Sequence, residues 1–332
     1  MGVLDPSVAA VRTAVKKILS GYGDGTRVLV ACSGGADSLA LAAATAFVAP
    51  RLGLLPGLVT VDHQLQPGSA ERAAAVAEWA RQAGFDPVDV STVETGGEGG
   101  PEAAARTARY AALVAAAHAH GAPAVLLGHT RDDQAETVML ALARGAGPRG
   151  LAGMPERRDV AGVALLRPLL DVSRAQTADA CAALSLEAWT DPHNADPAYA
   201  RARVRTTALP ALTGALGDDV VDNLARTARL LATDTKYLDA LAASALVDAR
   251  APDGGLRVAA LRELPSALRT RVLHAWALEC GAPGTDLAFT HIEALEALVT
   301  AWRGQGPVHL PGGIRVARSG GSSGQAALSK VK

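Results

Sequence analysis

Short apolar runs alternate with longer, alanine-rich stretches through the first part of the chain. The runs have the length of buried strands, and the stretches have the spacing of helices with a buried face. The runs are residues 27–32, 57–62, 86–91 and 124–128, and the stretches are 39–48, 69–83, 102–120 and 131–144. This β-α repetition predicts an α/β fold with a doubly wound, mainly parallel sheet. Such sheets bind ligands at the carboxyl ends of their strands, so we expect the functional loops there.

The pattern changes after Gly150. We expect a short strand at 163–166 and then a helix that opens at Ser173 with a capping box. Residues 189–200 are polar and broken by proline, which predicts a long loop.

From Asp218 onward the chain is mostly helical, with predicted helices at 219–245, 258–280 and 286–303 and a strand pair in HLPGGIRVAR. We therefore expect two domains. An N-terminal α/β domain covers 1–215, and a smaller, mostly helical C-terminal domain covers 216–332, with a mobile end.

Composition excludes several classes of protein. Hydrophobic residues make up 49% of the 332 residues and charged residues 20%, which is typical of a globular chain with a sizeable core. The three cysteines are far apart and odd in number, which argues against a disulfide framework, and no CxxC pair is present to hold zinc. No apolar run is long enough to span a bilayer and the first residues lack a secretory signal, so we expect a cytoplasmic protein with no membrane partner.

A six-residue loop, SGGADS, joins the first predicted strand to the first predicted helix. Glycine lets the backbone approach an anion, and the N–H groups at a helix start attract phosphate. Ser33 and Ser38 add hydroxyl donors, whereas the carboxylate of Asp37 would repel phosphate unless a Mg²⁺ ion lay between them. The loop predicts a phosphate site with a metal at Asp37. The alternative is an ordinary strand–helix turn in which Asp37 or Ser38 caps the helix.

The loop is not a Gly-Lys-Ser/Thr phosphate loop, because no lysine follows the glycines, and it is not a GxGxxG motif, which argues against dinucleotide binding. It resembles instead the pyrophosphate loop of the N-type ATP pyrophosphatases, the PP-loop superfamily, over roughly residues 25–145. The resemblance implies an enzyme that cleaves ATP to AMP and pyrophosphate. Its phosphate-binding residues would be Ser33, Gly34, Gly35, Ala36, Asp37 and Ser38.

A second polar cluster, HTRDDQAET at 129–137, opens the fourth helix. Asp133 and Glu136 are three residues apart and share a helix face, where carboxylates near the helix start can simply be caps. With His129 they also fit a cation site, for Mg²⁺ or for the ammonium of an amino-acid substrate. Arg109, on the preceding helix, is a candidate counter-charge to phosphate or to an adenylated intermediate.

Four further stretches of sequence indicate one family within this superfamily. They are PEAAARTARYAAL at 101–113, LGHTRDDQAETVMLALARGAGPRGLAGM at 127–154, RPLL at 167–170 and DPHNADPAYARARVR at 191–205. With the loop, and in the same order, they are similar to the tRNA(Ile)-lysidine synthetases, and residues 222–242 resemble the first C-terminal domain of that family. The chain stops where longer members carry a further domain, so it resembles the short form.

The resemblance implies a ligase that uses ATP and Mg²⁺ to join L-lysine to carbon 2 of the wobble cytidine in the CAU anticodon of tRNA(Ile), through an adenylated cytidine. It implies catalytic roles for Asp37, Arg109, Asp133 and Glu136, with the last two binding lysine. The remaining nucleotide-site residues that the resemblance implies are Val61, His63, Gly128 and His129. For His63 the alternative is an ordinary histidine at the end of a strand.

Contacts to tRNA must come from local basic groups, because the net charge is −1. Arginine suits phosphate, although each residue taken singly can be an ordinary solvated charge. The candidates are Arg144, Arg149, Arg201, Arg203 and Arg205. The sequence leaves the oligomeric state open, with a homodimer among the alternatives.

Three other functions fit the sequence less well. A PP-loop enzyme that thiolates tRNA cytidine typically relies on paired cysteines, which the sequence lacks. A glutaminase-coupled synthetase would need a module for which the chain has no room. A non-catalytic protein that binds adenine nucleotide or tRNA would have no use for Asp37, Asp133 and Glu136.

Overall fold

The structure, a computed structural model, describes residues 4–64, 68–93, 101–191, 196–284, 286–319 and 326–331, without the side chains of 101–103. Part of the predicted loop 189–200 therefore lies outside the described residues. The chain divides into two compact units, Met1–Ala232 and Thr233–Lys332. This division falls inside a helix, whereas the predicted domain boundary at 215/216 precedes that helix and stays a prediction.

The first unit is built on a six-stranded sheet. Its strands are β1 (Arg27–Ala31), β2 (Leu55–Asp62), β3 (Val88–Thr92), β4 (Ala124–Leu126), β5 (Arg157–Val160) and β6 (Val163–Leu166). They lie in the order β3-β2-β1-β4-β6-β5, and every pair from β3 to β6 is parallel. The predicted fold class is thus confirmed. The sequence did not predict β5, which pairs antiparallel to β6 across a tight turn at Ala161 and Gly162, both with positive φ.

Helices cover both faces of this sheet, as the β-α pattern predicts. The α-helices up to residue 249 are, in chain order, α1 (Pro6–Leu19), α2 (Ala36–Val48), α3 (Ser69–Gln82), α4 (Pro101–Ala119), α5 (Arg131–Ala143), α6 (Pro148–Leu151), α7 (Arg174–Ala183), α8 (Ala200–Arg203), α9 (Leu209–Leu216) and α10 (Val220–Ala249). Successive strand residues point to opposite faces, so Val28 and Val30 pack with α1, α2 and α7, while Leu29 packs with α4. Two apolar layers therefore fix the strands whose carboxyl ends carry the polar loops.

The second unit contains helices and a small antiparallel sheet around the buried Trp276. Its elements are β7 (Leu256–Arg257), α11 (Val258–Glu263), α12 (Ser266–Glu279), α13 (Phe289–Thr300), β8 (Val308–Leu310), β9 (Ile314–Arg318) and β10 (Ala327–Val331), with sheet order β7-β10-β9-β8. The predicted strand pair is β8 and β9. The predicted helix 258–280 is wrong as one element, because it is interrupted at Pro265.

The last strand also differs from expectation. Ala327–Val331, predicted to be mobile, form β10 and pair with β9 and β7. The buried side chain of Leu328 packs into the core of the second unit, which explains why this segment is ordered. In the ranges described, we find no helix with the combination of length and apolarity that crossing a lipid bilayer requires.

Candidate active site

The SGGADS loop turns from β1 into α2 at the carboxyl edge of the sheet. Gly34 has φ +84°, a conformation that favours glycine. Ser38 ties the turn together, since its Oγ accepts a hydrogen bond from the Ser33 N–H at 3.1 Å and donates one to the Gly35 carbonyl at 2.9 Å. The N-cap of α2 is Gly35, which has no side chain to satisfy the first N–H groups of the helix. These groups are therefore suited to an anion.

The chain leaving β4 passes very close to the start of α2. A Cβ atom placed on Gly128 would lie 3.1 Å from the carbonyl oxygen of Asp37 and 3.1 Å from Cα of Ser38. Both neighbours are backbone atoms, so glycine allows an approach that any side chain would obstruct. Gly128 thus lies beside the phosphate loop, and its role in nucleotide binding stays a prediction.

The carboxylate of Asp37, in the phosphate loop, contacts two residues of α7. The Thr177 hydroxyl donates to its Oδ1, and Nε of Arg174 lies 3.8 Å from its Oδ2. Burial raises the pKa of Asp37 to about 6; the charge of Asp133 adds to this rise, while the hydrogen bond from Thr177 and the charge of Arg174 oppose it. A carboxylate that is costly to ionise in this place is suited to a bound cation.

Asp133 lies on the same face of α5 as Glu136 and combines two kinds of contact. Its Oδ2 accepts from the Thr130 N–H at 2.8 Å and completes a capping box, so the helix-capping interpretation holds for this residue. Its Oδ1 lies 3.0 Å from Nη2 of Arg174 and 3.3 Å from Nη2 of Arg205. Although burial raises the pKa of Asp133, the charge of Arg174 and the N–H of Thr130 bring it below the ordinary value.

Glu136 is fully buried and surrounded by arginines. Its Oε1 accepts from Nη2 of Arg174 at 3.0 Å and from Nε of Arg205 at 2.7 Å, and its Oε2 accepts from Nε of Arg201 at 3.0 Å. A buried carboxylate needs such partners to stay charged. Guanidinium groups therefore occupy the places where the predicted lysine ammonium would bind, and lysine binding by this acid pair stays a prediction.

The arginines of ARARVR separate into two groups, because the segment is helical. Arg201 and Arg205 are four residues apart, share a helix face and both reach Glu136. Arg203 lies on another side, where its Nη1 donates to the carbonyl of Pro197 at 2.7 Å, and it is exposed. The structure therefore does not bring the three residues together as one surface for RNA.

The other two predicted RNA contacts lie elsewhere on the first unit. Arg144 is the C-cap residue that follows α5, Arg149 lies in α6, and both are exposed. Arg144, Arg149 and Arg203 are exposed to solvent, whereas Arg201 and Arg205 are partly buried and bind carboxylates.

Two histidines follow strands at the same edge. His63 follows β2 and His129 follows β4, and among the described residues neither has a hydrogen-bond partner for its buried Nδ1. Burial lowers the pKa of both, to about 3 in His129, so both rings are neutral near pH 7. Unpartnered buried ring nitrogens are the kind of group that a polar ligand satisfies.

Val61 and Arg109 complete the predicted set. Val61 is partly buried in β2 and packs against the apolar layer beneath α4. Arg109 lies in α4. Burial lowers the pKa of Arg109, and its charge in turn adds to the lowered pKa of His63 and His129. Arg109 is thus near both histidines, and the roles of Val61 and Arg109 in binding stay predictions.

Sequence reasoning missed several residues of this region. Arg174 and Thr177 belong to the first turn of α7, where the sequence signal was only the capping box of Ser173 with Gln176. The N–H of Trp189 donates to the Gly34 carbonyl at 2.9 Å, so the segment after α7 also packs on the phosphate loop. These contacts join distant parts of the chain, and local periodicity carries no trace of them.

Two protein families match the chain. Residues 8–212 match the PP-loop domain, and residues 256–322 match the TilS substrate binding domain. The chain is 66% identical over 322 residues to the tRNA(Ile)-lysidine synthase of Salinispora tropica, with 97% of each chain covered. It is 55% identical over 316 residues to that of Thermobifida fusca, which covers 95% of this chain and 96% of the relative.

A solved structure is similar in fold. The U34-tRNA thiolase NcsA from Methanococcus maripaludis has a TM-score of 0.56 over 68% of this chain and 80% of its own, with 18% sequence identity. At that identity the likeness concerns the fold alone.

Proposed function

The chain belongs to the tRNA(Ile)-lysidine synthase family, and on that basis we propose that it joins L-lysine to carbon 2 of the wobble cytidine in the CAU anticodon of tRNA(Ile). ATP adenylates the oxygen on carbon 2 of the base, and pyrophosphate is released. The ε-amine of lysine then attacks carbon 2, and the oxygen leaves as part of AMP. The product is lysidine.

One observation carries this proposal: the phosphate loop and the α5 acids meet at one edge of the sheet. At Gly128, the chain leaving β4 passes close to the backbone of Asp37. The carboxylates of Asp37 and Asp133 are near enough for each charge to affect the other. A reaction that activates a base with ATP and then presents it to an amine needs the two sites within reach of each other.

We propose that the six loop residues hold the phosphates and that Asp37 holds Mg²⁺. Within the described part of the chain, no group of three or more His, Cys, Asp or Glu side chains is placed to hold a metal ion. Mg²⁺ does not need such a group, because one or two carboxylates, phosphate oxygens and water usually bind it. The partly buried carboxylate of Asp37 beside the loop fits this role, and Mg²⁺ when bound would offset the charge of the phosphates.

Asp133 and Glu136 are our proposed lysine-binding residues. The ε-ammonium would form charge-assisted hydrogen bonds with their oxygens, which the surrounding arginines now contact. Lysine must therefore share these oxygens with an arginine or displace one. Before attack the ammonium loses a proton, and a carboxylate of this pair is the proposed acceptor. Arg109, near the two histidines, is the proposed counter-charge to the adenylate phosphate.

For tRNA we propose phosphate contacts from the exposed Arg144, Arg149 and Arg203. The wobble base must leave the anticodon stack to reach the edge of the sheet. We place this reaction in the cytoplasm, where tRNA is modified.

Thiolation of the base is less well supported. Cys32 and Cys181 both lie near the phosphate loop, and the thiol of Cys181 donates to the Ala36 carbonyl at 3.3 Å. Burial raises the pKa of both thiols, to about 11 for Cys181, so neither is a ready nucleophile at neutral pH.

The proposal is tested by pyrophosphate release from ATP in the presence of total tRNA, with and without each of the standard amino acids. We expect release that needs tRNA, together with consumption of lysine but of no other amino acid. Release without tRNA, or consumption of another amino acid, would contradict the proposal. Asp37→Ala is the control, since it removes the proposed metal ligand.

A further inference from the structure

Arg174 lies where α7 meets both α2 and α5. Its backbone N–H donates to Oδ2 of Asp132 at 2.8 Å, and its Nη2 lies 3.0 Å from Oδ1 of Asp133 and 3.0 Å from Oε1 of Glu136. Its Nε lies 3.8 Å from Oδ2 of Asp37. One guanidinium thus contacts the proposed metal ligand and both acids of the proposed lysine site.

The base of this side chain is firmly held. The Arg131 N–H donates to the Val172 carbonyl at 2.9 Å, which joins the residues before α7 to the start of α5. The Thr177 hydroxyl contacts both the Arg174 carbonyl and the carboxylate of Asp37, which joins α7 to α2. Because the first turn of α7 is attached on both sides, Arg174 has a defined position relative to each.

Charge explains why a cation is needed there. Asp37 and Asp133 each carry a carboxylate in this half-buried region, and their like charges oppose each other. Burial lowers the pKa of Arg174. The charges of Asp133, Glu136 and the other nearby carboxylates outweigh this effect and raise the pKa of Arg174 above its ordinary value. The guanidinium is therefore strongly held as a cation between the three acids.

The two other arginines of the cluster make different contacts. Arg201 binds Glu136 and the hydroxyl of Thr137, and Arg205 binds Glu136 and Asp133. These are contacts to α5. Arg174 differs because its contacts extend from α5 to the carboxylate of the phosphate loop.

We propose that Arg174 is a positioning residue that links the ATP site to the lysine site, by fixing the carboxylate of Asp37 relative to those of Asp133 and Glu136. It acts through these acids and need not touch the reacting atoms. The inference rests on the proposed function of the two sites. Removing the guanidinium weakens the use of both ATP and lysine, because each site loses the contact that orients its carboxylate.

The test compares Arg174→Gln and Arg174→Lys with the wild type in two measurements. The first is the affinity for a non-hydrolysable ATP analogue with Mg²⁺, by calorimetry, and the second is the KM for lysine. We expect Arg174→Gln to weaken both by about tenfold, the effect of one lost charge-assisted contact. In Arg174→Lys, the single ammonium can take the place of Nη2 between Asp133 and Glu136 but cannot also reach Asp37. This variant should keep the lysine KM within about threefold and lose analogue affinity as the glutamine variant does.

Arg81→Gln is the matched control, because Arg81 is exposed on α3 and pairs with Glu78 at 3.6 Å, away from the proposed site. The inference is overturned if Arg174→Lys binds the analogue as tightly as the wild type, or if folded Arg174→Gln keeps wild-type values in both measurements. If Arg174→Gln does not fold, the analogue affinity of Arg174→Lys still tests the inference. Analogue binding does not depend on the product formed, so a wild type that binds the analogue and makes no lysidine would reject the proposed function alone.

Discussion

The guanidinium of Arg205 binds both carboxylate oxygens of Glu136, through Nε to Oε1 at 2.7 Å and through Nη2 to Oε2 at 3.1 Å. Bidentate pairs of this kind are among the stronger ion pairs in proteins. Because Glu136 is fully buried, its charge contributes to the stability of the fold as well as to any role in binding.

Glu136→Gln should lower the free energy of unfolding by about 3 kcal/mol, since it removes the buried charge that partners three partly buried arginines. Urea unfolding measures this. Glu156→Gln is the control, because Glu156 forms an exposed pair with Lys17 at 3.3 Å and should cost less than about 1 kcal/mol. Equal losses in the two variants would show that the Glu136 cluster is not a buried ion-pair network.

Asp133→Asn tests lysine selection, because it keeps the shape of the side chain and removes its charge. We expect the KM for lysine to rise by about one to two powers of ten, at saturating ATP and tRNA, from the loss of one charge-assisted hydrogen bond. The KM for ATP should change much less. An unchanged lysine KM in the folded variant would limit Asp133 to helix capping and its arginine contacts, and would place the amino-acid site elsewhere.

Gly128→Ala tests the close approach of the β4 exit to the phosphate loop. The added methyl group would lie 3.1 Å from backbone atoms of Asp37 and Ser38, which can move away only if the loop shifts. We expect affinity for an ATP analogue to fall by about tenfold, as after the loss of about 1.4 kcal/mol. The control is Gly23→Ala, since a Cβ atom on Gly23 would meet nothing within 4 Å. Wild-type affinity in the Gly128 variant would mean that this loop geometry does not matter for phosphate binding.

Arg203→Gln tests the proposed RNA contact of the exposed member of ARARVR. The dependence of tRNA affinity on salt should weaken, with the slope of log K against log [salt] smaller by about 0.7 to 0.9 for one lost phosphate contact. Filter binding over a range of salt concentrations measures it, with Arg81→Gln as the control. If the slope equals that of the wild type, Arg203 is an ordinary surface charge.

The stability of the metal-free and nucleotide-free protein should depend on pH through Asp37. Burial raises the pKa of Asp37 to about 6 in the folded state, above its ordinary value of 3.8. The folded state thus holds this proton more tightly than the unfolded state, and stability falls as the pH rises from about 4 through about 6. Asp37→Asn removes the effect, so its unfolding free energy relative to the wild type should increase on the order of 2 kcal/mol between about pH 4 and about pH 7.5. A difference that stays constant over this range would contradict the raised pKa.

The parts of the fold that the sequence predicted are those set by local patterns. Buried parallel strands such as β1 and β4 are short apolar runs, and the phosphate loop lies directly after one of them. The strand β5 has the polar sequence RRDV and is mostly exposed, so no apolar run predicts it. It exists because the turn at Ala161 and Gly162 returns the chain to β6.

The site was predictable in its residue types and less so in its contacts. Asp133 and Glu136 were placed on one helix face by their spacing alone. Their arginine partners were not, because Arg205 lies 69 positions after Glu136 and Arg174 lies 38 positions after it. Arginines that a sequence pattern would assign to RNA can therefore serve a buried acid once the chain folds.

The formation of lysidine at a wobble cytidine is tested most directly by the mass of that nucleoside. The purified protein is incubated with ATP, Mg²⁺, isotope-labelled L-lysine and a tRNA(Ile) transcript bearing the CAU anticodon, and the nucleosides are analysed by mass spectrometry. We predict conversion of the wobble cytidine to labelled lysidine, with one AMP and one pyrophosphate formed per modified base, and none of these products with Asp37→Ala. An unmodified cytidine after ATP has been cleaved, or a modified base without the label, would contradict the account.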